Sequence, residues 1–114
     1  MRGDIERLQD ILEAIEKIEK YTRAGRASVE SDERTQVWVV YHLEILGEAA
    51  SKISRDIQNE HTEIPWGKVI AMRNILSHQY FGIDVDLVWR AVQQDIPELK
   101  AAIENLYRKL EGGV

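Results

Sequence analysis

The stretch Met72-Arg73-Asn74-Ile75-Leu76-Ser77-His78-Gln79-Tyr80-Phe81-Gly82 places an arginine, a histidine and a tyrosine within about two helical turns and closes on a glycine. On a helix each residue advances about 100°, so Val69, Met72, Ile75 and Leu76 share one side, and Arg73, Asn74, Ser77 and His78 share the other. The apolar side anchors the segment to a core and the polar side is left for chemistry. Asn74 and His78 are four apart and nearly aligned, as are Arg73 and Tyr80 at seven, if the helix runs that far. A guanidinium on its long stem spans the gap between Arg73 and His78.

The ligand that suits this pair is a phosphodiester. Arginine is always charged and offers planar donors to phosphate oxygens, and a histidine with an ordinary pKa of about 6.5 gives or takes a proton near neutral pH. In RNA the 2′-hydroxyl is a built-in nucleophile, so cleavage requires a base, an acid and positive charge on the phosphorane, without a metal. One motif histidine supplies half of the acid–base pair; a two-fold homodimer that joins two such faces supplies both. A structural reading stands beside this one: histidine near a helix C-terminus favours the macrodipole, and Tyr80-Phe81 before Gly82 can cover the core.

Outward from this stretch the chain reads as helices. Ile5, Leu8, Ile11, Leu12, Ile15, Ile18 and Tyr21 recur at three- and four-residue spacing, predicting a helix from Asp4, its N-cap, to about Arg23. Glu13–Lys17 and Glu16–Lys20 are favourable pairs on its outer face. Gly25 and the polar run to Ser31 read as a break. From Asp32 to Asn59 there is no proline, and Val37, Val40, Tyr41, Leu43, Ile45, Leu46, Ala49, Ala50, Ile53 and Ile57 form more than one apolar stripe, predicting one long, central or dimer-forming helix started by Ser31 or Asp32. Gly47 inside it costs about 1 kcal/mol relative to alanine, so it marks either a close approach of another helix or a tolerated glycine. Glu44 and Glu48, four apart, are candidates to pair with Arg73 or orient His78; both also read as solvated carboxylates.

Pro65 suits the first turn of a third helix running to about Tyr80 and stopped by Gly82. Trp66 opens it as a packing residue. Asp84 caps a fourth helix to about Gln94, and Asp95-Ile96-Pro97-Glu98 has the form of an N-cap with an acidic residue three on, so Pro97 either kinks or restarts the helix, and the last helix uses Ile96, Leu99, Ala102, Ile103, Leu106 and Leu110. There is no strand-like alternation and no internal repeat. The expected architecture is an all-α, antiparallel bundle of four to five helices forming a single domain over residues 1–114.

Composition narrows the function. With no cysteine, disulfides and thiolate metal sites are excluded. His42 and His61 lack ligand partners at metal spacing and read as surface or satisfied residues, and no glycine-rich nucleotide loop is present, so neither metal nor cofactor is expected. Nothing resembles a signal peptide or a membrane-spanning run, which makes a cytoplasmic protein the expectation. A net charge of −5 argues against extended binding along a nucleic-acid backbone, so an RNA site would need a local basic cleft around Arg73, with Arg55, Lys52 or Lys68 beside it.

Arg73, four intervening residues, His78, one residue and Tyr80 match the R-x4-H-x-Y motif of the HepT-like toxins within the HEPN superfamily. The order of Leu43-Glu44-Ile45-Leu46-Gly47-Glu48-Ala49-Ala50, Pro65-Trp66, Tyr80-Phe81-Gly82-Ile83-Asp84, Val88-Trp89 and Asp95-Ile96-Pro97-Glu98-Leu99 resembles the family pattern over most of the chain. The resemblance implies a HEPN-like bundle and the toxin component of a type II toxin–antitoxin system. The toxin would be a metal-independent endoribonuclease working as a homodimer with a composite active site. Its catalytic residues would be Arg73 and His78, with Asn74 beside them and Glu44, Glu48 and Ser77 in support. The partner would be a minimal nucleotidyltransferase antitoxin that adenylylates Tyr80. The alternative is a non-catalytic HEPN subunit that presents substrate or nucleotide to a nucleotidyltransferase.

Overall fold

The computed structural model describes residues 3–77 and 84–112, the side chains of 74–77 excepted. Every regular element among them is helical, and the apolar periodicity explains most of these elements directly.

Helix α1 spans Asp4–Thr22 and buries Leu8, Ile11, Ala14, Ile15 and Ile18, the spacing read from the sequence. Its cap is Gly3, not Asp4: the Gly3 N–H donates to Glu6 Oε2 at 2.8 Å. Asp4 Oδ1 instead accepts the Ser54 N–H at 2.8 Å, tying the start of α1 to a corner fifty residues away. Tyr21, expected inward, is exposed. Of the two outer-face pairs, Glu13–Lys17 forms at 3.5 Å, while Lys20 lies over the Tyr21 ring at 5.7 Å.

The break after α1 is narrower than its composition suggests. Gly25 turns the chain with φ 98°, a value that favours glycine, and Arg26–Ser31 then forms a short helix α2 because Val29 gives it a fully buried anchor. Asp32 caps α3, Glu33–Ser51, accepting the Arg34 N–H at 3.0 Å and the Thr35 hydroxyl at 3.1 Å. The single helix expected over 32–59 is divided. Ser54 caps a separate α4, Arg55–Glu60, by accepting the Ile57 N–H at 3.3 Å, and the intervening turn drives Ile53 into the core.

Helix α5, Trp66–Ser77, begins one residue after Pro65; Trp66, Val69 and Met72 are buried, and the Trp66 indole N–H donates to the His61 carbonyl at 3.0 Å. The expected continuation of this helix to Tyr80 and its stop at Gly82 lie outside the described residues. Asp84 caps α6, Val85–Arg90, accepting the Leu87 N–H at 3.2 Å. Of the two readings of Pro97, a distorted helix and a restarted one, the structure has the first. The chain stays helical through a wide π turn at Ala91–Asp95 into α7, Ile96–Gly112, with the Ile96 N–H bonded to the Ala91 carbonyl. Pro97 accounts for the widening, since it has no N–H to donate and its ring crowds the preceding turn. Asp95, read as a cap, pairs instead with Lys68 of α5 at 2.8 Å.

Helix α3 is the axis of the bundle, packed between α1 and α5, and α7 closes on α1. Helices α1 and α3 are antiparallel, as the Asp4–Ser54 bond requires. So are α1 and α7, joined by Lys100–Glu19 at 3.0 Å near one end and Gln9–Tyr107 at 2.9 Å near the other. Helix α5 leaves the α4 corner and runs back along α3, so that Asp86 after it meets Arg26 of α2 beside the start of α3. The architecture is thus an all-α bundle of four rods, α1, α3, α5 and α6–α7, with α2 and α4 as short connectors.

Candidate active site

The site begins with a missing methyl group. At Gly47, on the face of α3 that meets α5, a Cβ would lie 2.9 Å from the Arg73 Cβ and 3.3 Å from the Val69 carbonyl oxygen. Close approach, the sharper of the two readings of Gly47, is therefore the correct one, and the helix it admits is the one that carries Arg73.

One residue along α3, Glu48 accepts a hydrogen bond from the Arg73 guanidinium, and Lys52 approaches the other Glu48 oxygen at 3.4 Å. These two cations, Lys52 first, hold the Glu48 carboxyl below the ordinary carboxylate range, so it is ionised at neutral pH. Of the two candidate carboxylates, Glu48 makes the pairing. Glu44 lies a turn away and lines the same space without bonding Arg73.

That space is an open groove of about 510 Å3. Arg7 and Asp10 of α1 form one wall, Tyr41, Glu44 and Glu48 of α3 the other, Ile45 and Ala49 the floor, and Arg73 stands at the α5 end. Arg7 and Asp10 were not singled out in the sequence, and Tyr41 was read there only as part of an apolar stripe. Their signal is faint: Arg7 and Asp10 are charged positions three apart beside the buried Leu8 and Ile11, which only the packing of α1 on α3 turns toward Arg73.

Among the described residues the expected basic surround of Arg73 forms only in part, with Lys52 beside it across Glu48. The groove sets two arginines against three carboxylates; Lys52 is engaged by Glu48, Lys68 by Asp95, and Arg55 does not line it. His42 is buried and satisfied, its Nδ1 2.8 Å from the Trp38 carbonyl and its ring 4.5 Å from the indole. His61 pairs with Glu63 at 3.3 Å. Among the described residues no three histidine, aspartate or glutamate side chains converge as a metal ion would require, and no helix is long and apolar enough to cross a membrane. His78 and Tyr80 lie outside the described residues, and the side chains of Asn74 and Ser77 are likewise not described; the backbone of α5 carries both to the groove's end of the helix.

A helical bundle whose central helix meets Arg73, the first residue of an R-x4-H-x-Y sequence motif, has the make-up of the HEPN class. Within it the chain belongs to the HepT-like ribonuclease family, whose description, "Ribonuclease HepT-like", matches residues 11–106. The chain is 46% identical over 100 residues to "Probable ribonuclease HepT" of Thermococcus cleftensis, covering 87% of this chain and 91% of that one. It is 37% identical to "Gamma-glutamylcyclotransferase and putative RNase MJ0434" of Methanocaldococcus jannaschii, over 97% of this chain but 51% of that longer protein. It is 35% identical to "Putative RNase MJ1380" of the same organism, covering 85% of this chain and 90% of that relative. No solved structure matches it.

Proposed function

We propose that this protein is a metal-independent endoribonuclease, the toxin of a toxin–antitoxin pair, working as a homodimer. The observation that carries the reading is the placement of Arg73: its guanidinium stands in an open groove, oriented by Glu48, five residues before His78. A fixed guanidinium beside a histidine is what an in-line transesterification needs. One His78 takes the 2′-hydroxyl proton, O2′ attacks the adjacent phosphorus, and the P–O5′ bond breaks as the His78 of the second copy returns a proton to O5′. The products are a 2′,3′-cyclic phosphate and a free 5′-hydroxyl. Arg73 stabilises the phosphorane, and Asn74 and Ser77 hold His78 or a phosphate oxygen.

Tyr80 is the control point of this reading. Its phenolic oxygen attacks the α-phosphorus of a nucleoside triphosphate on a nucleotidyltransferase antitoxin and pyrophosphate leaves. The AMP that remains adds bulk and negative charge beside a phosphate site.

Replacing His78 by alanine is expected to lower RNA cleavage by about 10²–10⁴-fold with the helical circular-dichroism spectrum unchanged; undiminished cleavage would falsify the assignment. Tyr80→Phe is expected to keep cleavage and lose neutralisation. A second reading, a non-catalytic subunit presenting nucleotide or substrate to a nucleotidyltransferase, draws support from the three carboxylates of the groove. It predicts no cleavage by any form of the chain and a stable complex with the transferase.

A further inference from the structure

The outer face of α3 carries a pattern that the bundle does not use. Val37 and Tyr41 are each 54% exposed, unusual for large apolar side chains at the middle of a central helix. With Arg34 and Glu44 they form a stripe at three-, four- and three-residue spacing, the spacing of a helix–helix seam. Trp38 borders the stripe, packed edge-on against Tyr21 at 5.2 Å, so the exposed large hydrophobics among the described residues all gather on this one face.

The stripe is complementary to itself. If a second copy of α3 is laid antiparallel on the first, with the dyad at the level of Val39, Val37 meets Tyr41 of the other copy and Arg34 meets Glu44. Each pair occurs twice by symmetry, as an isologous contact requires. The charged ends are available: the Arg34 side chain is 96% exposed with its nearest carboxylate oxygen, on Asp32, at 3.7 Å, and Glu44 makes no hydrogen bond or ion pair among the described residues. A parallel pairing would set Arg34 on Arg34 and Glu44 on Glu44, so the charges select the antiparallel one.

We infer that the Arg34-Val37-Tyr41-Glu44 face of α3 is the homodimer interface, in antiparallel register about Val39. The inference rests on the ribonuclease reading for its purpose and gives it a geometry. Tyr41 and Glu44 also line the Arg73 groove, so a partner seated on this stripe closes the groove's open side. Helix α5 runs antiparallel to α3 and crosses it at Gly47, near Arg73. At about 1.5 Å of rise per residue, Ser77 then falls level with the Tyr41–Leu43 turn, close to the dyad. The α5 ends of both copies thereby approach one another, which a composite site with one motif histidine per chain needs.

The test is sedimentation of the full chain over a concentration series. Arg34→Glu and Glu44→Arg each replace two attractive contacts by two repulsive ones, and each is expected to weaken the dimer at least tenfold; the double variant is expected to return to within about threefold of the wild type. Tyr41→Asp is expected to be monomeric with an unchanged helical spectrum, its side chain being outside the core. A monomeric wild type, or a dimer that neither charge reversal nor Tyr41→Asp disturbs, overturns the inference. So does a chain in which Tyr41→Asp abolishes RNA retention and leaves the dimer intact, since the face would then belong to RNA. Absence of RNA cleavage in a dimer that follows the charge pattern overturns the ribonuclease reading and leaves the interface standing.

Discussion

A Cβ added to Gly47 would stand 2.9 Å from the Cβ of Arg73, so the glycine of the central helix and the arginine of the motif share one contact across the α3–α5 crossing. Gly47→Ala gains about 1 kcal/mol of helix propensity and pays a clash of about 1–3 kcal/mol, because the nearest atoms are the stem and backbone of Arg73 and cannot swing aside. The expected result is a lower urea midpoint together with slower RNA cleavage, as α5 and its arginine are pushed outward. A stabilised variant with unchanged cleavage would show that the crossing has room.

Glu48 hydrogen-bonds the Arg73 guanidinium, so Glu48→Gln is expected to lower kcat for RNA cleavage about ten- to a hundredfold with little change in KM, and Glu48→Asp to recover part of it. Glu44→Gln, which leaves the Arg73 contact intact, is expected to affect kcat less. A rise in kcat for Glu48→Gln would mean that the carboxylate restrains the arginine rather than aims it.

Two ion pairs set opposite edges of a pH profile. The Glu48 carboxyl is lowered from 4.5 by Lys52 and Arg73, so its stabilisation is present above that pH and is lost as pH falls through the lowered folded value. The Lys68 ammonium is raised from 10.5 by Asp95, so its stabilisation is present below that pH and is lost as pH rises through the raised folded value. Denaturation curves of the wild type and Glu48→Gln are expected to converge as pH falls through the lowered Glu48 value, and those of the wild type and Asp95→Asn as pH rises through the raised Lys68 value.

Asp84→Ala removes the cap of α6 and is expected to cost about 1 kcal/mol and to speed hydrogen exchange at Leu87 and Val88. Asp84→Asn, which can still accept the Leu87 N–H, is expected to cost less.

Leu46 is fully buried where α3 faces the core, so Leu46→Ala is expected to cost about 2–5 kcal/mol, read as a drop in the urea midpoint. A loss below 1 kcal/mol would mean that the surrounding helices collapse onto the vacated space.

Much of the architecture is local and could be read along the chain. The apolar spacing of Leu8, Ile11, Ile15 and Ile18 gives α1 its inner face, and Asp32 and Asp84 cap their helices because a carboxylate reaches an N–H two or three residues on. Family membership was legible for the same reason, since R-x4-H-x-Y and the ordered segments around it are a pattern in one dimension. What depended on distant partners could not be read this way. Asp4 gave up its cap to Gly3 and bonded Ser54; Asp95 bonded Lys68 rather than starting a helix; Tyr21 turned out to solvent beside Trp38. At the site, Glu44 and Glu48 are alike in type and spacing. Only the approach of α5 at Gly47 decides that Glu48 holds Arg73 and that Arg7, Asp10 and Tyr41 face it across a groove. Periodicity determines which side of a helix is buried, whereas the level and azimuth at which two helices cross are set by packing among residues far apart in the chain.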